Sequence, residues 1–295
     1  MQQALEQFYG SLKRKLGLLQ RAKRVDSFDP TDRKEFDELE RHRQCPYESR
    51  VRTRAYDNAM IDPASLELAS TGFFKSNLDQ PILVRFDCLR TYYGKKFTVQ
   101  ENPFTRTVIE LIEDSTIDIP ETFLFKFCNE YQPKSYGEIF GISEGEVLGK
   151  LSPYSEFLPW VHEAPRLDKR SGTFGPKHET YIEHTVIRLR NLLSLIEKYS
   201  YIPSFGDIPM GYVLQSEESW RFILTAGHHR LAVLGALRET GVFPSDEIVV
   251  RGASGRFWTH KKVVFKDSEA RSWPGVKAGA ISEAEAVELF HRFFV

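Results

Sequence analysis

The stretch that decides the fold reads Ile223-Leu224-Thr225-Ala226-Gly227-His228-His229-Arg230-Leu231-Ala232-Val233-Leu234-Gly235-Ala236-Leu237. The apolar run Phe222, Ile223, Leu224 predicts a strand that stops at Gly227. Leu231, Val233, Leu234 and Leu237 then predict a buried helix. At such a junction the first N–H groups of the helix have no helical acceptor and point outward. The helix dipole adds positive potential at the same place. Gly227 lets a ligand come close to the backbone. Arg230 can grip a phosphate with two parallel hydrogen bonds, and His228 and His229 can donate or shuttle protons. The stretch reads as an anion site. A plainer reading of the two histidines is a capped and packed turn, but Gly227 and Arg230 in the same turn favour phosphate.

Outward from this stretch the pattern stays regular. Ile182, Val186, Leu189, Leu193 and Ile196 predict a helix from Glu179 to Tyr199. A short strand follows at Gly211 to Leu214, then a polar turn from Gln215 to Ser219, then the strand that ends at Gly227. After the motif helix, Glu247 to Arg251 reads as another strand. The order is helix, strand, turn, strand, Gly-His-His-Arg, helix, strand.

From about Gly175 to Arg251 this order, with Gly227-His228-His229-Arg230 as its Gly-X-His-Arg motif, resembles the ParB/sulfiredoxin superfamily. That superfamily includes chromosome-partitioning CTP switches, sulfiredoxins and ParB-like free-serine kinases. The resemblance implies that Gly227, His228, His229 and Arg230 bind nucleotide phosphates, with ATP as the favoured triphosphate and Mg2+ as its ion. It leaves the metal ligands open. For a kinase it implies transition-state stabilisation by His229 and Arg230 and a carboxylate base at the start of the preceding helix. Glu179 is the first choice and Glu183, one turn on and facing the same way, is the second. A solvated first-turn glutamate favoured by the helix dipole is the ordinary alternative. The chain departs from the serine kinases at Ala226, where they carry Asp; Asp207 and Asp246 are the substitutes considered. It departs from the sulfiredoxins at His228, where they need a nucleophilic cysteine, which excludes sulfinic-acid reduction.

A second cluster, Arg251, Arg256, Trp258, His260, Lys261 and Lys262, follows in a glycine-flanked loop. Trp258 can stack on a sugar or base, so Arg256 and Trp258 join Glu183 as candidate substrate-binding residues. A solvated hairpin rim is the equal alternative. Arg188 and Arg190 on the Glu179–Tyr199 helix are candidates for further phosphate contacts or for plain exposure.

Composition narrows the classes. Among 295 residues, 40 are basic and 41 acidic, and the net charge of −1 argues against wholesale nucleic-acid coating. Cys45, Cys88 and Cys128 are too far apart for a disulfide framework or a zinc site, and they point to a reducing compartment. No apolar run approaches the ~18 residues that span a bilayer, and no secretory apolar stretch follows the first charges. The expected location is the cytoplasm. Residues 3–24 predict a basic amphipathic helix, either a surface for a membrane or protein partner at the inner membrane or an ordinary packed helix.

The remaining N-terminal part predicts mostly helix: a charged solvated segment from Phe28 to Arg54, a short strand at Pro81 to Phe86, a helix opened by Asn102-Pro103 and another by Pro120. Ser135–Phe140 and Ser143–Lys150 read as short helices around Gly141. Their turn is similar to a helix-turn-helix, but Glu144, Glu146 and Lys150 do not make a DNA-reading face. Pro153, Pro159 and Pro165 suggest a linker. At the C-terminus Ser282 and Glu285 predict a capping box on a helix with Ala286, Leu289, Phe290 and Phe293 inside. That tail, with Asn102-Pro-Phe and Tyr131-Gln-Pro, is similar to ParB-like proteins linked to cell-surface polysaccharide biosynthesis.

The expected fold is α+β, with a mainly helical domain at 1–160 and a ParB/sulfiredoxin-like nucleotide-binding α/β domain at 161–295. The resemblance implies a nucleotide-dependent phosphotransferase acting on a small hydroxylated acceptor, with a sugar of polysaccharide assembly in view. A non-catalytic nucleotide-gated binding module is the alternative, and a nucleic-acid partner is disfavoured.

Overall fold

The structure is a computed structural model. It describes residues 61–63, 66–70, 80–142, 145–167, 174–201 (199 by its backbone alone), 203, 208–217, 219–253 and 263–295. These lie in a unit running from Val51 to Val295. In chain order the elements are β1 (Ile82–Arg85), β2 (Leu89–Arg90), α1 (Pro103–Glu113), α2 (Phe123–Glu130), α3 (Tyr136–Ile139), β3 (Ser155–Glu156) and β4 (Arg166–Leu167). Then come α4 (Glu179–Tyr199), β5 (Met210–Gln215), β6 (Trp220–Ala226), α5 (His228–Glu239), β7 (Glu247–Gly252), β8 (Val264–Lys266), α6 (Pro274–Lys277) and α7 (Glu283–His291).

The main sheet runs β1-β7-β5-β6-β2, with β8 also on β5. β5 and β6 form an antiparallel hairpin. Its turn closes through the Ser216 N–H donating to the Ser219 carbonyl at 2.9 Å. β7 lies parallel to β5 at Met210 and Gly211, and β8 takes over the parallel pairing from Val213 to Gln215. β1 is antiparallel to β7, and β2 is parallel to β6. The sheet is mixed, and the fold is of the general α+β class.

Both faces of the sheet are covered, and strand alternation divides the core in two. Val213, Phe222, Leu224, Ile248, Val250, Ile82 and Val84 face Phe104, Val108, Leu124, Val186, Leu189, Leu231 and Leu234 from α1, α2, α4 and α5. Tyr212, Leu214, Ile223 and Phe265 face an aromatic layer of Tyr136, Trp160, Trp273, Phe290 and Phe293. The Trp160 ring lies 5.5 Å from each of Trp273, Phe290 and Phe293.

Several expectations change on contact with this arrangement. The proline-rich stretch read as a linker is core: Phe157, Leu158, Trp160 and Val161 are all buried. Strands from both sides of residue 160 share one sheet, since β1 and β2 pair with β7 and β6. Residues 146–150 form turns rather than a helix. The cause is Glu285, whose buried carboxylate accepts the Val147 and Leu148 N–H groups at 2.9 and 2.8 Å. Ser282 caps α7 as expected, accepting the Glu285 N–H at 3.2 Å. The Glu285 side chain, which a full capping box would turn back on Ser282, thus holds a distant turn. Pro120 opens only a short 3-10 turn, Ile119–Glu121, and α2 starts after Thr122. The basic helix at 3–24 and the segment to Arg54 lie outside the described residues. Among the described residues no helix is long and apolar enough to cross a membrane.

Candidate functional site

The junction of β6 and α5 is built on one glycine. Gly227 has φ 96° and ψ 12°, the left-handed region that side chains with a Cβ resist. A Cβ there would also stand 3.0 Å from Pro209 Cα, so the turn is held against the chain entering β5. The first helical bond runs from the Leu231 N–H to the Gly227 carbonyl at 3.0 Å. The N–H groups of His228, His229 and Arg230 come before that bond, and the glycine N-cap has no side chain to take them. Beyond the first turn, α5 is buried from Leu231 to Leu237.

The four motif residues are half-buried. The His228 ring centroid lies 6.3 Å from that of Phe97, and the His229 centroid lies 5.1 Å from that of Phe104. Phe104 is set at the start of α1 by Asn102, whose side chain accepts the Phe104 and Thr105 N–H groups at 2.9 and 3.1 Å. Burial pulls His228 down to about 4. Burial, then the charges of Arg188 and His228, pull His229 down to about 3. Both imidazoles are neutral at neutral pH, so His229 brings no positive charge to a transferring group. Its Nε2 is enclosed and without a hydrogen-bond partner among the described residues. Positive charge at the bend comes instead from Arg230 and from Arg188, which is exposed on α4.

Glu179 is exposed at the first position of α4, and Glu183 is half-buried one turn on. Arg188, the α4 residue whose charge reaches His229, lies nine residues after Glu179. Nine residues are about 13 Å of helix axis. Glu183 is nearer along that axis. Asp246 faces elsewhere: it pairs at 2.7 Å with Arg238, in the last turn of α5 and eleven residues beyond Gly227. Arg190 is half-buried, with Nη2 donating to the Ile117 carbonyl at 2.9 Å. Trp258, Arg256, Asp207 and the other loop cations from His260 to Lys262 lie outside the described residues; of that cluster Arg251 is described, as part of β7.

Phe97, Phe104, Asn102 and Pro209 complete the site. Only the Asn102-Pro103 cap had a sequence signal, and it announced a helix start rather than a site. Cys88 and Cys128 are free; burial pushes each thiol up to about 11, which makes them poor nucleophiles. Among the described residues no three His, Cys, Asp or Glu side chains stand together as a metal site. The chain matches no protein-family model, no curated protein and no solved structure.

Proposed function

We propose that the chain binds a nucleoside triphosphate, with ATP as first choice and Mg2+ as its ion, at the bend where β6 becomes α5. In this reading the bound nucleotide is the donor for phosphoryl transfer to a small hydroxylated acceptor, with a sugar of polysaccharide assembly as the first class to test. The observation that carries the reading is the left-handed Gly227 at the head of an uncapped helix with Arg230 in its first turn. First-turn N–H groups without a side-chain cap, the helix dipole and a guanidinium favour a polyanion together. Arg188 adds a second charge from α4.

The neutral imidazoles of His228 and His229 position the first turn through their packing on Phe97 and Phe104. Triphosphate-bound magnesium keeps most of its ligands from phosphate and water, so it asks the protein for a carboxylate at most. Glu183 is the better candidate for that carboxylate, or for the base, because it is nearer Arg188 along α4 than Glu179 is. The resemblance to ParB-like kinases and the Gly-X-His-Arg spacing support the same reading.

A second reading is a nucleotide-gated binding module without transfer. Ala226 at the motif and the exposed Glu179 at the far end of α4 favour it. The two separate in a turnover assay with ATP, magnesium and a panel of sugars and serine. Transfer that disappears in Glu183→Gln, with ATP binding kept, selects the kinase. Binding with no turnover on any acceptor selects the module.

A further inference from the structure

Arg90 ends β2 and is 1% exposed. In the parallel pairing of β2 with β6 it stands opposite Ile223. Arg221 lies two residues earlier on β6, so it shares the face of Ile223 and is the diagonal neighbour of Arg90. Nη1 of Arg90 donates to the Asp87 carbonyl at 2.6 Å and the Leu89 carbonyl at 2.9 Å. Those two bonds fix the plane of the guanidinium. Along its other edge, Nε is buried with no partner among the described residues. Arg221 donates Nη1 to the Trp220 carbonyl at 2.8 Å and Nη2 to the Phe294 carbonyl at 3.0 Å. Its Nε is also buried and unpartnered among the described residues.

Among the described residues the two guanidiniums thus hydrogen-bond only carbonyls, and that of Arg221 also lies 5.2 Å from the centre of the Phe294 ring. Asp87, the nearest acid in sequence, has its carboxylate taken by Arg85 at 2.8 Å. Burial, followed by the charge of Arg221, pulls Arg90 down to about 10, and it remains a cation at neutral pH. Arg90 is buried and Arg221 beside it is half-buried. The charges of Glu101 and Asp87 act on Arg90, but among the described residues neither carboxylate hydrogen-bonds it, whereas a buried charge in a folded protein is ordinarily paired directly. The Nε–Nη2 edge is the fork that matches the two oxygens of a carboxylate or phosphate.

We propose that Arg90 and Arg221 form a second oxyanion site, in which a carboxylate or phosphate group takes the Nε–Nη2 edge of Arg90 and Arg221 supplies the neighbouring charge. The site is independent of the bend at Gly227. The full chain carrying Arg230→Ala, which disables the bend, is melted in sodium phosphate, sodium acetate and sodium chloride at matched ionic strength. Phosphate or acetate raises the melting temperature saturably, by on the order of 4 °C per tenfold of anion above its dissociation constant. The effective anion identifies the ligand class. Arg90→Lys keeps the charge, loses the fork and abolishes the rise; Arg221→Gln weakens it. Equal melting in the three salts, or a rise that survives in Arg90→Lys, overturns the site. Should Arg90→Lys not fold, the Nε–H resonance of Arg90 in the Arg230→Ala chain decides: a shift with phosphate or acetate supports the site, and an unmoved resonance overturns it.

Discussion

Gly227 carries two constraints at once: a left-handed backbone and a close approach to Pro209. Gly227→Ala is expected to lose about 1–3 kcal/mol of stability, measured as a shift in the denaturant midpoint, and to weaken nucleotide binding with it. The histidines give a pH prediction. Their folded values, about 4 and about 3, lie below the ordinary imidazole value near 6.5. The unfolded chain therefore binds more protons between those limits, and stability falls as pH drops from about 6.5 toward 4. His228→Gln is expected to flatten that slope by on the order of 2 kcal/mol across pH 4–7, read from denaturation at each pH. The strand, glycine and helix start around Gly227 were legible in the sequence, because the apolar runs on either side of the glycine have strong local causes. The sequence did not show protonation. That is set by burial against Phe97 and Phe104, which lie more than 120 residues away, where the Asn102-Pro103 cap announced a helix start but nothing announced a contact with the motif.

Elements with a strong local cause were legible. The helix from Glu179 to Tyr199 follows from its apolar spacing, and α7 from its Ser282 cap. β2 was not legible, because two residues make no pattern; its position depends on pairing with β6. The turn at 146–150 was misread as helix for a tertiary reason, the carboxylate of Glu285 reaching across from α7. Glu285→Ala leaves the buried Leu148 N–H and its part-buried neighbour at Val147 without an acceptor and is expected to cost about 2–3 kcal/mol. Ser282→Ala removes one cap bond and is expected to cost about 1 kcal/mol. Equilibrium unfolding of the two variants checks the order, and a Ser282 effect equal to the Glu285 effect would show that the long-range bond contributes little.

At the scale of the whole molecule, the sheet joins strands from the two sides of residue 160, and prolines that resemble linker punctuation lead buried aromatic side chains around its second face. A fragment of residues 161–295 lacks β1 and β2 and leaves β7 and β6 with bare edges. It is expected to show no cooperative thermal transition by circular dichroism, whereas residues 51–295 melt in one step. Two independent transitions in the longer chain would show that the halves fold separately. The central claim is that the bend at Gly227 holds a nucleoside triphosphate, and isothermal titration of the full chain with ATP and magnesium tests it most directly. Saturable binding is predicted at one site, with at least a tenfold loss in Arg230→Ala, the expected effect of removing a charged hydrogen bond. Absence of heat with any triphosphate, or equal affinity in Arg230→Ala, would contradict it.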